Sequence, residues 1–82
     1  MYVILSNGDK FHNGEMEYTV IKFRRRCLEN VALLERNAYC PYVVARDLRQ
    51  NSDGTYTWAF GHYFNSFSNA EADFDETYNK LL

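Results

Sequence analysis

The sequence has few of the residues that build disulfide scaffolds and flexible linkers. Its 82 residues include two Cys, one Pro and four Gly. Small secreted domains usually contain several disulfides, so we interpret Cys27 and Cys40 as free thiols in a reducing cytoplasm. No repeat or Pro/Gly-rich stretch interrupts the chain, so we predict one α+β domain spanning residues 1–82.

Long apolar runs and an excess of basic residues are also missing. The apolar start of the chain ends at Ser6 and has no basic flank, which predicts neither a signal peptide nor a membrane span. The formal net charge is −2, so no overall positive charge attracts a phosphate backbone. We therefore expect no membrane partner, and we do not expect nucleic acid as the main partner.

The residues of a metal or catalytic site are sparse. Cys27, Cys40, His12 and His62 are the soft metal ligands, and none of their spacings is that of a zinc site. No local feature supplies Cys40 with a lowered pKa or an oriented base. We therefore predict no metal, no cofactor and no enzyme, and a small enzyme remains an alternative only if a deep pocket gathers His12, His62 and Cys40.

Aromatic residues are the one excess, at 17% of the chain. Large rings suit the core of a small domain because each ring buries a large area. Tyr and Trp are also enriched at protein interfaces. The aromatic content therefore fits either role.

Hairpin signals occur in the first and third quarters of the chain. Residues 2–5 are β-prone, Asn7-Gly8-Asp9 suits a tight turn, and residues 10–12 predict the return strand, closed by Asn13-Gly14. Residues 42–48 and 55–64 predict a second hairpin around the turn at residues 50–54.

The segment between the hairpins has a mixed pattern. Its apolar residues recur every three or four positions, which predicts a helix that is best defined over residues 24–37. Residues 18–23 instead alternate like a strand. We favour an early helix start, since a later one would place Arg24, Arg25 and Arg26 in a first turn that disfavours cations. The residues of the apolar face are Met16, Val20, Phe23, Cys27, Val31, Leu34 and Ala38.

A second helix closes the chain. Ser68 as N-cap and Glu71 three residues later form a capping box, and the residues Phe67, Ala70, Phe74, Tyr78 and Leu81 follow along one face. The order ββ-α-ββ-α predicts a two-layer sandwich, an antiparallel sheet with both helices on one face. Trp58 shares a strand face with Tyr56, Phe60, His62 and Phe64, and we expect that face to be buried beneath the helices.

The opposite sheet face is then the candidate surface for a protein partner or for a homodimer. It would present Thr55, Thr57 and Tyr63, and the last helix adds the acidic residues Glu71, Asp75 and Glu76. The alternative is a nucleic-acid-binding module that uses Arg24, Arg25 and Arg26.

Residues 42–45, Trp58, the run from Gly61 to Phe64, and Asp73-Phe74 resemble small proteins of bacterial mobile elements and phages. The resemblance implies a context in which small single-domain proteins, anti-CRISPR proteins among them, inhibit or modulate a larger host protein such as a defence nuclease. It assigns no function to any individual residue.

Overall fold

The computed structural model describes residues 3–81, which form a curved antiparallel sheet and one helix. The five strands pair in sequence order and make a half-barrel, with the helix lying against its outer face. No helix in this range is long and apolar enough to cross a bilayer. The elements are β1 Lys10–Asn13, β2 Met16–Arg26, β3 Glu29–Arg36, β4 Tyr42–Gln50, β5 Tyr56–Phe64 and α1 Phe67–Asn79.

The predicted ββ-α-ββ-α sandwich is wrong, because the central segment is the β2–β3 hairpin rather than a helix. A β-bulge between Val20 and Lys22 explains the helix-like spacing. Val20 faces one core, whereas Ile21 packs against the helix side and Lys22 reaches Glu71 on the helix. The extra residue converts a spacing of two into a spacing of three.

Two further features explain why the sequence pattern does not predict the β2–β3 hairpin. The five residues 30–34 of β3 are all buried, so the strand has no polar alternation. Its turn is Cys27-Leu28, and Cys27 takes a φ of 56° without the Gly or Asn that usually marks such a turn.

The expected first hairpin also forms differently. Gly8 does make a turn, with a φ of 92°, and the backbone of Asp9 bonds back to Ser6. Residues 3–6 form no strand, however, and β1 pairs with β2 across the turn that follows Asn13. Tyr2 lies outside the described residues.

The two elements predicted in the C-terminal half, a hairpin and a helix, agree closely with the structure. The β4–β5 hairpin is confirmed, with Tyr42 opposite Phe64 and Gln50 opposite Tyr56. The last helix is also confirmed, but its N-cap is Ser66, whose hydroxyl accepts a hydrogen bond from the Asn69 amide. The expected cap at Ser68 is therefore two residues too late.

The sheet separates two cores. The inner core fills the half-barrel, with Trp58 and Tyr56 at its margin, and the outer core lies between the sheet and α1 around the fully buried Phe74. The buried residues of the inner core are Phe11, Tyr18, Val20, Ala32, Leu34, Val43, Ala45 and Leu48. Those of the outer core are Val31, Leu33, Val44, Ala70, Phe74 and Leu81.

Strands β4 and β5 exchange faces part-way along their length. Val44 and Arg46 lie on the helix side, yet Leu48 belongs to the inner core. Asp47 between them has a φ of 63°, which breaks the alternation. The Asn30 side chain spans this irregularity, since its amide donates to the Leu48 carbonyl at 3.2 Å and its carbonyl accepts from the Leu48 amide at 2.8 Å.

The same exchange overturns the expected position of Trp58. On β5, Phe60 and His62 lie on the helix side, whereas Trp58 turns into the inner core, away from the helix. Its ring is half-buried and lies edge-on to Tyr18, with the ring centroids 5.1 Å apart. The prediction that Trp58 lies beneath the helices is therefore wrong.

We expect Asn30→Ala to lower the free energy of unfolding by about 2–3 kcal/mol, because it leaves the buried Leu48 backbone without its two partners. Chemical denaturation measures this change. Asn37→Ala is the control, since Asn37 is exposed in a loop, and its effect should stay within about 0.5 kcal/mol. If both substitutions lowered the free energy of unfolding equally, the Asn30 side chain would not be what stabilises β4 at Leu48.

We expect Gly61→Ala to destabilise the fold by about 1–3 kcal/mol through crowding of Trp58. A Cβ at position 61 would lie 2.8 Å from the Trp58 Nε1 atom and 3.1 Å from the Tyr63 hydroxyl. Thermal melts should show the loss, and Gly61→Ala should cost less in a Trp58→Phe background than in the parent. An equal cost in the two backgrounds would contradict this packing.

Candidate functional site

Arg36 organises one end of the sheet. The residue ends β3, and its guanidinium donates to the Tyr39 carbonyl at 3.1 Å and to the Cys40 carbonyl at 3.3 Å. The same group stacks 4.9 Å above the centre of the Tyr63 ring and lies 3.5 Å from the Tyr18 hydroxyl. One side chain therefore fixes the loop that joins β3 to β4 and covers the end of the inner core.

The loop before α1 is joined to the same end. The Cys40 amide donates to the Asn65 side-chain oxygen at 3.2 Å. The rings of Tyr42 and Phe67 meet edge-to-face, with 5.5 Å between centroids. These contacts bring together the end of β3, the start of β4, the end of β5 and the start of α1. We call the five residues Arg36, Tyr39, Tyr42, Tyr63 and Phe67 the arginine–aromatic end.

Three rings of the arginine–aromatic end face solvent to different degrees. Tyr39 is 84% exposed, Tyr63 is 48% exposed and Phe67 is 39% exposed. Exposed Tyr and Arg side chains that are held in place by neighbours are typical of protein interfaces, because they bury large areas at small entropic cost. The arrangement suits contact with another macromolecule.

A cleft of ≈ 330 Å³ separates α1 from the outer face of β4 and β5. Its charged groups are already paired, since the His62 Nδ1 atom lies 3.0 Å from an Asp73 oxygen and Lys80 lies 2.9 Å from Glu76. The hydrogen bond and positive charge of Lys80 hold the pKa of Glu76 below its usual value. Phe60 stands at this cleft and is 64% exposed.

The predicted partner-binding residues Thr55, Thr57 and Tyr63 are divided between the two ends of the sheet. The Thr55 hydroxyl donates to Asp53 at 2.6 Å within the β4–β5 turn, which lowers the pKa of that carboxyl, and Thr57 is exposed beside it. Tyr63 belongs to the arginine–aromatic end, about 20 Å from Thr57 at the usual rise of a strand. The structure does not bring Thr55 and Thr57 together with Tyr63.

The acidic residues predicted on the last helix are mostly engaged in ion pairs. Glu71 lies 2.8 Å from Lys22 and ties the helix to the bulge of β2, and Glu76 pairs with Lys80. Asp75 is exposed on the outer side of the helix. The ion pair with Lys22 favours a structural role for Glu71.

The three arginines proposed for nucleic acid lie on a strand, so they alternate between its faces. Arg24 and Arg26 lie over the Tyr78 ring, 5.6 Å and 4.6 Å from its centre. Arg25 instead donates to the Cys27 carbonyl at the β2–β3 turn. The cluster is therefore divided rather than presented as one basic patch.

The residues considered for catalysis lie apart. His62 pairs with Asp73 in the cleft beside α1, His12 lies opposite Glu17 on β1 and β2, and Cys40 lies in the β3–β4 loop. Among residues 3–81, no group of three or more His, Cys, Asp and Glu side chains could hold a metal ion.

Comparison with protein-family models, curated proteins and solved structures gives no match to this chain. The candidate surface consequently depends on the geometry alone. Sequence reasoning missed Arg36 and Tyr39 because it placed both in or near a helix. The available signal was the aromatic and polar run just before Pro41, which suits a loop.

We expect Arg36→Gln to loosen the loop at residues 37–41 and to cost about 1–2 kcal/mol of stability, because it removes a cation that orders two carbonyls and one ring. Hydrogen exchange should show lost protection of the Cys40 amide. Arg49→Gln is the matched control, since Arg49 is exposed and pairs with Asp47 near the opposite end. If Arg36→Gln left the hydrogen exchange of the Cys40 amide unchanged, Arg36 would not be the residue that orders this loop.

Proposed function

We propose that the protein is a non-catalytic protein-binding module that docks through the arginine–aromatic end. In its most concrete form, the module inhibits or modulates a larger host protein such as a defence nuclease, in the phage or mobile-element context that the sequence resemblance implies. A cytoplasmic location belongs to the same proposal.

The observation that carries the proposal is the exposure of Tyr39 on a loop whose backbone is held by Arg36. A ring that is 84% exposed contributes little to the fold, yet Arg36 bonds to the backbone beneath it. Fixing the backbone that carries an exposed side chain reduces the entropy lost when the loop is ordered in a complex. Tyr63 beneath the guanidinium and Phe67 beside Tyr42 extend the same surface.

The charge beside this surface indicates the kind of partner. A shallow groove next to Arg36 and Pro41 is lined by Glu15, Glu17 and Glu35, of which Glu17 lies 3.6 Å from Lys10. Acidic rims steer the approach of basic surfaces and penalise acidic ones. A partner with a basic patch around an apolar pocket, as on the nucleic-acid-binding surface of a nuclease, has matching chemistry.

We expect Tyr39→Ala and Arg36→Ala each to weaken binding of the host partner at least about tenfold, which corresponds to about 1.4 kcal/mol or more. The partner is captured from bacterial lysate on the immobilised protein, identified and purified, and its affinity is measured by calorimetry. Leu28→Ala is the control, since Leu28 is 76% exposed at the opposite end of the sheet and should leave the affinity unchanged.

Two results would contradict the proposal. One is capture of no stoichiometric partner together with hydrolytic turnover that depends on Cys40. The other is a partner whose affinity falls with Leu28→Ala and not with Tyr39→Ala.

The nucleic-acid alternative has its own test. We expect no mobility shift of DNA or RNA at tens of millimolar salt, because the arginines of β2 are divided between two faces and the net charge is −2. A shift that weakens as salt rises, and that Arg24→Gln/Arg26→Gln removes, would instead establish a charge-driven nucleic-acid site.

A further inference from the structure

Strand β5 is an edge of the sheet that lacks the usual protection. Within residues 3–81 it pairs with β4 on one side and has no strand on the other. Natural edges are usually short or carry charged side chains, Pro or a cover, because free backbone groups recruit other strands. The nine residues of β5 include no Asp, Glu, Lys, Arg or Pro.

Two large side chains protrude along the free part of this edge. Phe60 is 64% exposed on the helix side, and Tyr63 is 48% exposed on the other side. The short strand β1 lies near the first part of β5, where the centre of the Phe11 ring is 4.7 Å from that of Tyr56 and 6.4 Å from that of Trp58. Residues 60–64 are therefore the part of the edge that is available for pairing.

We propose that residues 60–64 pair antiparallel with the same residues of a second copy, so that two half-barrels share one continuous sheet. The charge of the edge supports a second copy as the occupant. The strand contains no Asp, Glu, Lys or Arg, and the His62 of each copy keeps its own partner, Asp73, at 3.0 Å. An isologous contact also satisfies both unprotected edges at once.

Symmetry fixes the register of this pairing. Residues that lie directly opposite each other in an antiparallel pair point to the same side of the sheet, so helix-side residues must meet helix-side residues. The exchange of faces at Ala59 limits the regular stretch to residues 60–64. The only register that uses all of it places His62 opposite His62 of the second copy, with Phe60 opposite Phe64 and Gly61 opposite Tyr63.

This register accounts for the exposure of Phe60. The cleft between α1 and β5 leaves room beside the edge on the helix side. Across the symmetry axis, the exposed Phe60 ring would lie against the half-buried Phe64 of the second copy, and the reciprocal pair would form as well. Aromatic cross-strand pairs of this kind stabilise sheets beyond the area that they bury.

Sedimentation analysis of the purified full chain tests the dimer directly. We expect dimers at about 100 µM protein and dissociation on dilution, as is typical of a small interface. Phe60→Lys should be monomeric throughout that range, because it places one charge on each copy of an apolar contact. Its far-ultraviolet circular dichroism should equal that of the parent, since the Phe60 ring belongs to neither core.

Cysteine cross-linking tests the register. In a Cys27→Ser/Cys40→Ser background, His62→Cys should form a covalent dimer under mild oxidation at least about tenfold faster than Thr57→Cys, because only position 62 meets its own copy across the axis at disulfide distance. Thr57 is the matched control because it is exposed on the same strand, outside residues 60–64.

A monomer at about 100 µM, a dimer that persists in Phe60→Lys, or equal cross-linking at positions 57 and 62 would each overturn the inference. Tyr63 belongs to both surfaces, whereas Tyr39 lies outside residues 60–64, so Tyr39→Ala tests the host-protein binding proposed above without changing the dimer contact. A protein that fails to dimerise but binds its partner, or dimerises without a partner, therefore distinguishes the two proposals.

Discussion

The pairing of the Asn30 side chain with the Leu48 backbone is the contact on which the arrangement of the sheet depends. The regular ladder between β3 and β4 ends where Val31 lies opposite Arg46, and the amide then takes the place of a backbone partner. Because Leu48 is anchored in this way, Asp47 can adopt its positive φ without leaving buried polar groups unsatisfied. The exchange of faces along β4 and β5 occurs where this side chain takes the place of a backbone partner.

That exchange allows one hairpin to serve two cores. Before it, Trp58 and Tyr56 fill the open side of the half-barrel against Phe11 and Tyr18. After it, Phe64 packs under the helix and Phe60 is left at the edge. An uninterrupted strand would place Trp58 and Phe64 on the same face. One of the two cores would then lack the aromatic ring that β5 now gives it.

The elements with a regular sequence pattern could be predicted from the sequence, and the elements with an irregular pattern could not. The β4–β5 hairpin and the last helix follow from strand alternation, a polar turn and helical spacing. The β2–β3 hairpin could not be predicted in the same way, since the bulge at Ile21 imitates a helical period and Cys27 occupies a turn position without a turn signal. The arginine–aromatic end depends on contacts between residues such as Arg36 and Tyr63, which are 27 positions apart and meet only once the sheet has formed.

The meander order of the strands has a consequence for how the chain reaches this structure. Each strand pairs with its neighbour in sequence, so the loops that must close are short and the sheet can grow one hairpin at a time. Topologies with such local contacts fold fast for β-rich proteins. The helix follows β5 in the chain but packs on β3 and β4, so the site that receives Phe74 exists only once those two strands lie side by side.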